Sequence, residues 1–325
     1  MFFSGYACVI LLVTIMIINY IIMTTVHRQD NVKYHSAQTI TIKPCICPYW
    51  NGGLGNLMFE YASLYGISQL KEMTLVINQN DTIATVFPNI PQVNTTYTTS
   101  KPCDNASVVS EKQACAFGME SYSFKRSAVV LHKSYLQSWR YFQLVENDIR
   151  KQFVFKPDVQ HQARANIEHQ VKQYLNNSEN FKDLQIIGVH IRRGDYLLKD
   201  KIKFGYNVAT KQYIDDAMDY FKSKYNNTLF LVFTESKTEG LKWREENING
   251  SNSIHMESKS KEVDMCSISL CNHTIITVGT FGWWSAWLGQ GTTIYYKDVA
   301  RRNSSLRNDF SSDITDFFYP GWIGM

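Results

Sequence analysis

The chain has 325 residues, with 33 Lys and Arg against 29 Asp and Glu, seven Cys and 14% aromatic residues. That length and apolar content can fill one large or two ordinary domains, which excludes a small disulfide-scaffold toxin and bulk disorder. A net charge of +4 without a Lys/Arg run gives no case for a nucleic-acid partner.

The first feature along the chain is Tyr6 to Met23, eighteen residues broken only by Thr14 and Asn19, with no Lys, Arg, Asp or Glu before Arg28. As a helix it would span about 27 Å, close to a ~30 Å hydrocarbon core. No small-x-small cleavage site follows, so the run reads as a single uncleaved signal-anchor, with a cleaved signal peptide as the alternative. The expected layout is a cytoplasmic tail at 1–5, a transmembrane helix at 6–23 and a polar stem at 24–44.

Acceptor sequons then occur at Asn80, Asn94, Asn105, Asn176, Asn226, Asn249, Asn272 and Asn303, about twice the chance frequency. Cys8 lies in the apolar run, leaving Cys45, Cys47, Cys103, Cys115, Cys266 and Cys271. An even set beside so many sequons points to an oxidising lumen and disulfides of undetermined pairing. The spacing Cys266-x4-Cys271-x-His273 matches no structural zinc pattern.

In the first half, Met73 to Ile77 and Ala128 to Leu131 read as strands. Asn56 to Leu70 reads as a helix entered through Gly52-Gly53-Leu54-Gly55. The second half is more regular. Strands are expected at Gln185–Ile191, Thr228–Phe233, Thr274–Val278 and Thr293–Tyr296. Helical patterns fall between them at Gln212–Tyr225, Glu239–Asn247, Lys261–Leu270 and Trp283–Gly289. Such alternation builds a parallel sheet covered on both faces, with ligands at the carboxyl ends of its strands. The expected division is an N-terminal lobe at 45–182 and a donor-binding lobe at 183–325.

Three clusters carry chemistry. His190-Ile191-Arg192-Arg193-Gly194-Asp195-Tyr196 stands where a buried strand ends, and paired guanidiniums there form a clamp for a pyrophosphate. An equally simple reading is a strand end with Asp195 neutralising one Arg. Gly52-Gly53-Leu54-Gly55-Asn56 opens a helix whose free N–H groups suit anionic oxygens, or is a plain tight turn. Gly279-Thr280-Phe281-Gly282-Trp283-Trp284 offers the same backbone donors plus a hydroxyl, while its tryptophans read equally as core. No Asp-x-Asp occurs, so the familiar metal handle for a nucleotide-sugar diphosphate is missing.

The strings HIRRGDY, GGLGNLMFEYASLYGIS and DMCSISLCNHTIITVGTFGWWSAWLG, with the closing Phe318-Tyr-Pro-Gly-Trp-Ile-Gly324, resemble the animal galactoside 2-alpha-L-fucosyltransferases of glycosyltransferase family 11. The resemblance spans roughly residues 48 to 325. It implies a two-lobed α/β fold of GT-B type with a Rossmann-like C-terminal lobe behind one transmembrane helix. The implied setting is a single-pass type II Golgi membrane protein with its catalytic part lumenal. The implied reaction is metal-independent transfer of fucose from GDP-fucose to a galactoside with inversion, with no cofactor. Another linkage or acceptor, or a weakly catalytic glycan-binding relative, are the competing readings.

By the same resemblance Arg192 and Arg193 are pyrophosphate ligands, His190 lies by the donor, Asp264 faces the guanine edge and Thr280 touches phosphate. Gly55 and Asn56 belong to the substrate loop. Leu57 departs from the family's usual Gln, and Gly282 from a common Ser. Trp243-Arg244 stands where many members keep Trp-Cys, so a disulfide there does not carry over. For the base that deprotonates the acceptor, Asp195 and Glu60 both remain open.

Overall fold

The computed structural model describes residues 44–92, Cys103, 105–175, 183–235 and 238–325. Residues 43–325 form a single compact unit built on two parallel sheets. The first holds β1 (Cys45–Pro48), β2 (Thr74–Leu75), β3 (Ser107–Val109) and β4 (Val129–His132), in the order β2-β1-β4-β3. Between β1 and β2 runs helix α1 (Leu54–Lys71). After β4, the chain forms α2 (Pro157–Tyr174), started by a proline whose fixed φ suits a first helical turn.

The second sheet has six strands. β5 (Gln185–Ile191) is central and pairs in parallel with β6 (Thr228–Thr234) and with β8 (His273–Ile276). β7 (Ser253–His255) lies beside β6, and β9 (Thr293–Tyr295) and β10 (Ile323–Gly324) complete the order β10-β9-β8-β5-β6-β7. The connections are α3 (Lys211–Lys224), α4 (Thr238–Asn247), α5 (Lys261–Ser269) and α6 (Thr280–Leu288). β6 is buried at every position, as an apolar run covered on both faces must be.

The halves share one core. Phe59 of α1 packs against Trp283 and Trp284 of α6 at ring-centroid distances of 4.6 and 5.0 Å. Phe142 and Phe153 reach Trp284 at 5.5 and 5.2 Å, and all three tryptophans of α6 are fully buried. The tryptophans are therefore core. The segment from Asn308 to Phe317 also crosses between the halves. The Asn308 carbonyl accepts from Gln113 Nε2, and Cys115 N–H donates to the Asp309 carbonyl. Asp316 pairs with Arg140 at 2.9 Å and accepts from Phe117 N–H, while Trp283 Nε1 donates to the Phe317 carbonyl.

Two expectations need correction. The fold was expected to include a transmembrane helix, but among the described residues no helix is long and apolar enough to cross a membrane. The run Tyr6 to Met23 lies outside the described residues, as do Asn94 and Asn176. The cysteines, too, do not pair off as a set: Cys47 is bonded to Cys103, while Cys45, Cys115, Cys266 and Cys271 are buried free thiols. Buried and unbonded, these four act as small apolar side chains. The sequon residues Asn80, Asn105, Asn226, Asn249, Asn272 and Asn303 are all exposed.

α1 starts so close to α6 that a Cβ on Gly55 would stand 2.6 Å from the Thr280 carbonyl carbon and 2.7 Å from the Phe281 nitrogen. A Cβ on Gly53 would meet nothing within 4 Å. Gly55→Ala is expected to cost about 1–3 kcal/mol through forced separation of the two helix starts, against less than ~1 kcal/mol for Gly53→Ala. Urea unfolding of both variants checks this; equal midpoints would contradict the contact.

Candidate active site

The two helix starts open on one cleft of about 690 Å³, walled by both halves of the unit. Its floor is the carboxyl edge of the second sheet. His190, Arg192 and Asp195 line it, together with Thr280 from the α6 start and Gly55 and Asn56 from the α1 start. Six of the nine expected site residues thus come together.

Strand alternation sorts the arginines. His190 and Arg192 are two apart and share the cleft side, as period-two geometry requires. Arg193 turns the other way: its guanidinium stacks 4.4 Å over Trp243, donates to the Ala209 carbonyl and approaches Glu239 at 3.6 Å. It holds the fold behind the strand end and does not line the cleft. Arg192 directs Nε and Nη2 onto one Asp195 oxygen at 3.0 and 2.8 Å. Its backbone N–H donates to the Thr277 hydroxyl at 2.9 Å. The turn is held from β6 as well, where the Glu235 carboxylate accepts from the backbone N–H groups of Arg193 and Gly194.

Burial sets two protonation states here. Burial first, and Arg192 second, push the His190 imidazole down to about 3, so the ring is neutral against Phe281 at 5.0 Å. Gly282 sits where a Cβ would stand 2.7 Å from His190 Nδ1; a Ser at that position would displace the ring. Glu60 lies under the glycine loop at 1% exposure, outside the cleft lining, and accepts from Asn51 N–H with both oxygens at 3.2 Å. Burial pushes its carboxyl up to about 9 against the pull of the Asn51 hydrogen bond. A carboxyl that is protonated at neutral pH and outside the cleft supports the loop rather than removing a substrate proton.

Asp264 is likewise not brought to the cleft. Its oxygens accept from the Ser258 hydroxyl and from Lys259 N–H, fixing the turn into α5. Thr280 spends its hydroxyl on Asn56 Oδ1 at 2.7 Å, and Gln137 Nε2 donates to the same oxygen at 3.3 Å. Leu57 is buried in the core. Glycines with positive φ set both loops, at Gly52 (+89°) and Gly279 (+94°), conformations a side chain would strain. Thus α6 begins at Thr280, one turn before the expected Trp283.

The sequence reading missed several wall residues. Lys201 and Lys261 add positive charge and Asp309 adds a second carboxylate, its pKa raised by burial. Tyr135 lines the same wall, its hydroxyl accepting from Asn51 Nδ2 at 2.8 Å. Lys201 is one of three lysines in the short stretch Lys199–Phe204 and Lys261 follows Lys259, so nothing in the spacing singles either out, and Asp309 lies outside every motif. Among the described residues no three His, Cys, Asp or Glu are grouped to hold a metal ion, so Cys266, Cys271 and His273 form no such site.

Residues 13–325 match Glycosyl transferase family 11. The chain belongs to that family. Galactoside alpha-(1,2)-fucosyltransferase 2 of Pongo pygmaeus is 29% identical over 283 residues, covering 84% of this chain and 77% of the relative. Galactoside alpha-(1,2)-fucosyltransferase 1 of Leontocebus fuscicollis is 27% identical over 285 residues, covering 85% and 74%. Among solved structures, the fucosyltransferase NodZ from Bradyrhizobium superposes with a TM-score of 0.50 at 13% identity, over 78% of this chain and 95% of that one. At that identity the likeness speaks for a shared fold alone. In this family 11 glycosyltransferase the cleft lies where both halves meet.

Arg192→Lys should lower glycosyl transfer by about 10²–10³-fold, because an ammonium cannot reproduce the planar fork, with the melting temperature unchanged. Arg193→Lys should chiefly lower the melting temperature, and steady-state kinetics with calorimetry separate the two. Because the folded carboxyl of Glu60 titrates near 9 and an unfolded one near 4.3, the unfolded chain binds fewer protons between those values. Stability from this group therefore falls as pH rises across that window. Glu60→Gln should flatten the slope of melting temperature against pH from 5 to 9, and an unchanged slope would remove Glu60 from the account.

Proposed function

We infer that this protein transfers L-fucose from GDP-fucose to a galactoside acceptor, forming an alpha-1,2 linkage with inversion at the fucose anomeric carbon. The observation that carries the reading is family membership across residues 13–325, with curated relatives named galactoside alpha-(1,2)-fucosyltransferases. The cleft supplies what such chemistry needs. Departure of GDP develops negative charge on the β-phosphate, and fixed donors aimed at that charge lower the barrier.

Arg192 is the guanidinium on the cleft wall, with Lys201 and Lys261 beside it. The first N–H groups of α6 have no intrahelical partner and open on the same space. In this reading the donor's phosphates draw Arg192 partly off Asp195, and the protein's own cations take the place of a metal ion. The acceptor hydroxyl attacks from the opposite side of the sugar and loses its proton to one of the two cleft carboxylates, Asp195 or Asp309. His190, neutral at physiological pH, packs beside the donor without adding charge. The exposed sequon residues and the Cys47–Cys103 disulfide support placing the catalytic unit in the lumen of the Golgi.

Incubating the full chain with labelled GDP-fucose and a β-galactoside should give an alpha-1,2-fucosylated product, with transfer persisting in excess EDTA. Failure on every β-galactoside, while another GDP-sugar is consumed, would overturn the reading. Loss of transfer in EDTA that Mn²⁺ restores would overturn the role given to the protein's cations.

A further inference from the structure

A second cavity adjoins the cleft and shares part of its wall. The rings of Tyr196 and Tyr206 stack at 4.3 Å and form part of the wall of the cleft. A groove of about 700 Å³ shares these two tyrosines with the cleft. Its remaining lining includes the Tyr296 ring and the polar side chains of Asn207, Asp298 and Arg302. Asp298 and Arg302 are exposed, and among the described residues neither side chain is held in a hydrogen bond or ion pair.

This chemistry fits a carbohydrate. A pyranose presents an apolar C–H face that lies against an aromatic ring, and an edge of hydroxyls that planar carboxylate, amide and guanidinium groups recognise. Pockets with aromatic walls and a few placed polar groups hold such ligands in one orientation. Position matters as much as lining. The Arg192 guanidinium lies 5.4 Å over the Tyr196 ring and bonds Asp195. A sugar whose hydroxyl attacks a donor held at Arg192 therefore lies beside Tyr196, and the next sugar along meets the groove.

Resting on the fucosyl-transfer reading, we propose that the groove beyond Tyr196 and Tyr206 is a subsite for the sugars that follow the acceptor galactose. The enzyme then takes galactose as the end of a longer oligosaccharide, and the groove discriminates among acceptors by their second and third residues. A short acceptor fills the cleft alone and gains nothing from the groove.

Asp298→Ala, Arg302→Ala and the groove-filling Asp298→Trp test this, each assayed with phenyl β-galactoside and with a galactose-terminated tetrasaccharide. The side chains are exposed, so melting temperatures should stay within about 2 °C of the parent. The KM for the tetrasaccharide should rise about tenfold, the loss of one hydrogen bond to a charged group. The KM for GDP-fucose and kcat/KM for phenyl β-galactoside should stay within about twofold. An unchanged tetrasaccharide KM in all three variants, or an equal loss on both acceptors, would overturn the subsite. A parent protein that fucosylates neither acceptor would instead sink the fucosyl-transfer reading, and the subsite with it.

Discussion

The close approach of two helix starts governs this molecule. α1 and α6 meet where Gly55 leaves no room for a Cβ against the Thr280–Phe281 backbone. Phe59, one turn further on, seats against Trp283 and Trp284. Because these rings are buried within a single core, the orientation of the two halves is fixed by packing rather than by a hinge contact alone. The hydrogen bond from Thr280 to Asn56 then registers one loop against the other. Both loops end in helix starts, so the same packing that joins the halves also sets where their free N–H groups converge.

Charge in the cleft is placed by burial as much as by residue type. A neutral His190 and a protonated Glu60 leave Arg192, Lys201 and Lys261 as the cations facing the opening. Had His190 kept its ordinary pKa, mild acid would add charge beside Arg192; burial removes that sensitivity. The carboxylates that stay outside the cleft do other work. Glu235 and Asp264 accept backbone N–H groups and give two turns their shape.

The centre of the second sheet was legible because β5 and β6 are seven-residue, largely apolar runs. Gln185–Ile191 was read with its observed limits, and α3 to α5 within one or two residues. Elements with little periodicity escaped: β1 has four residues, two of them cysteine, and β7 and β10 are shorter still. α2 also escaped, since its polar face dominates and only Ala163, Ile167 and Val171 turn fully inward. At the site, motifs located the strand end and both glycine loops. They could not tell which way Arg193 points, because one step along an extended chain reverses the side chain. Glu60 and Asp264 look like cleft carboxylates in sequence, and only the third dimension shows that backbone N–H groups already occupy them. Cys47 pairs with Cys103, and among the described residues Cys45, Cys115, Cys266 and Cys271 stay free thiols, Cys45 within the same packed cluster as that disulfide.

The crossing segment from Asn308 to Phe317 bears on how such a chain is made. Gln113, Cys115, Phe117 and Arg140 all take partners from it, nearly two hundred residues further along. A ribosome releases Gln113 and its neighbours long before those partners exist. The first half therefore waits in an unfinished state, with aromatic surface awaiting Trp283 and Phe317, until nearly all of the described sequence has emerged. Contacts of such long range slow folding and expose apolar surface in the interim. The cleft is in this sense a late product of synthesis, closed by the same segment that completes the core.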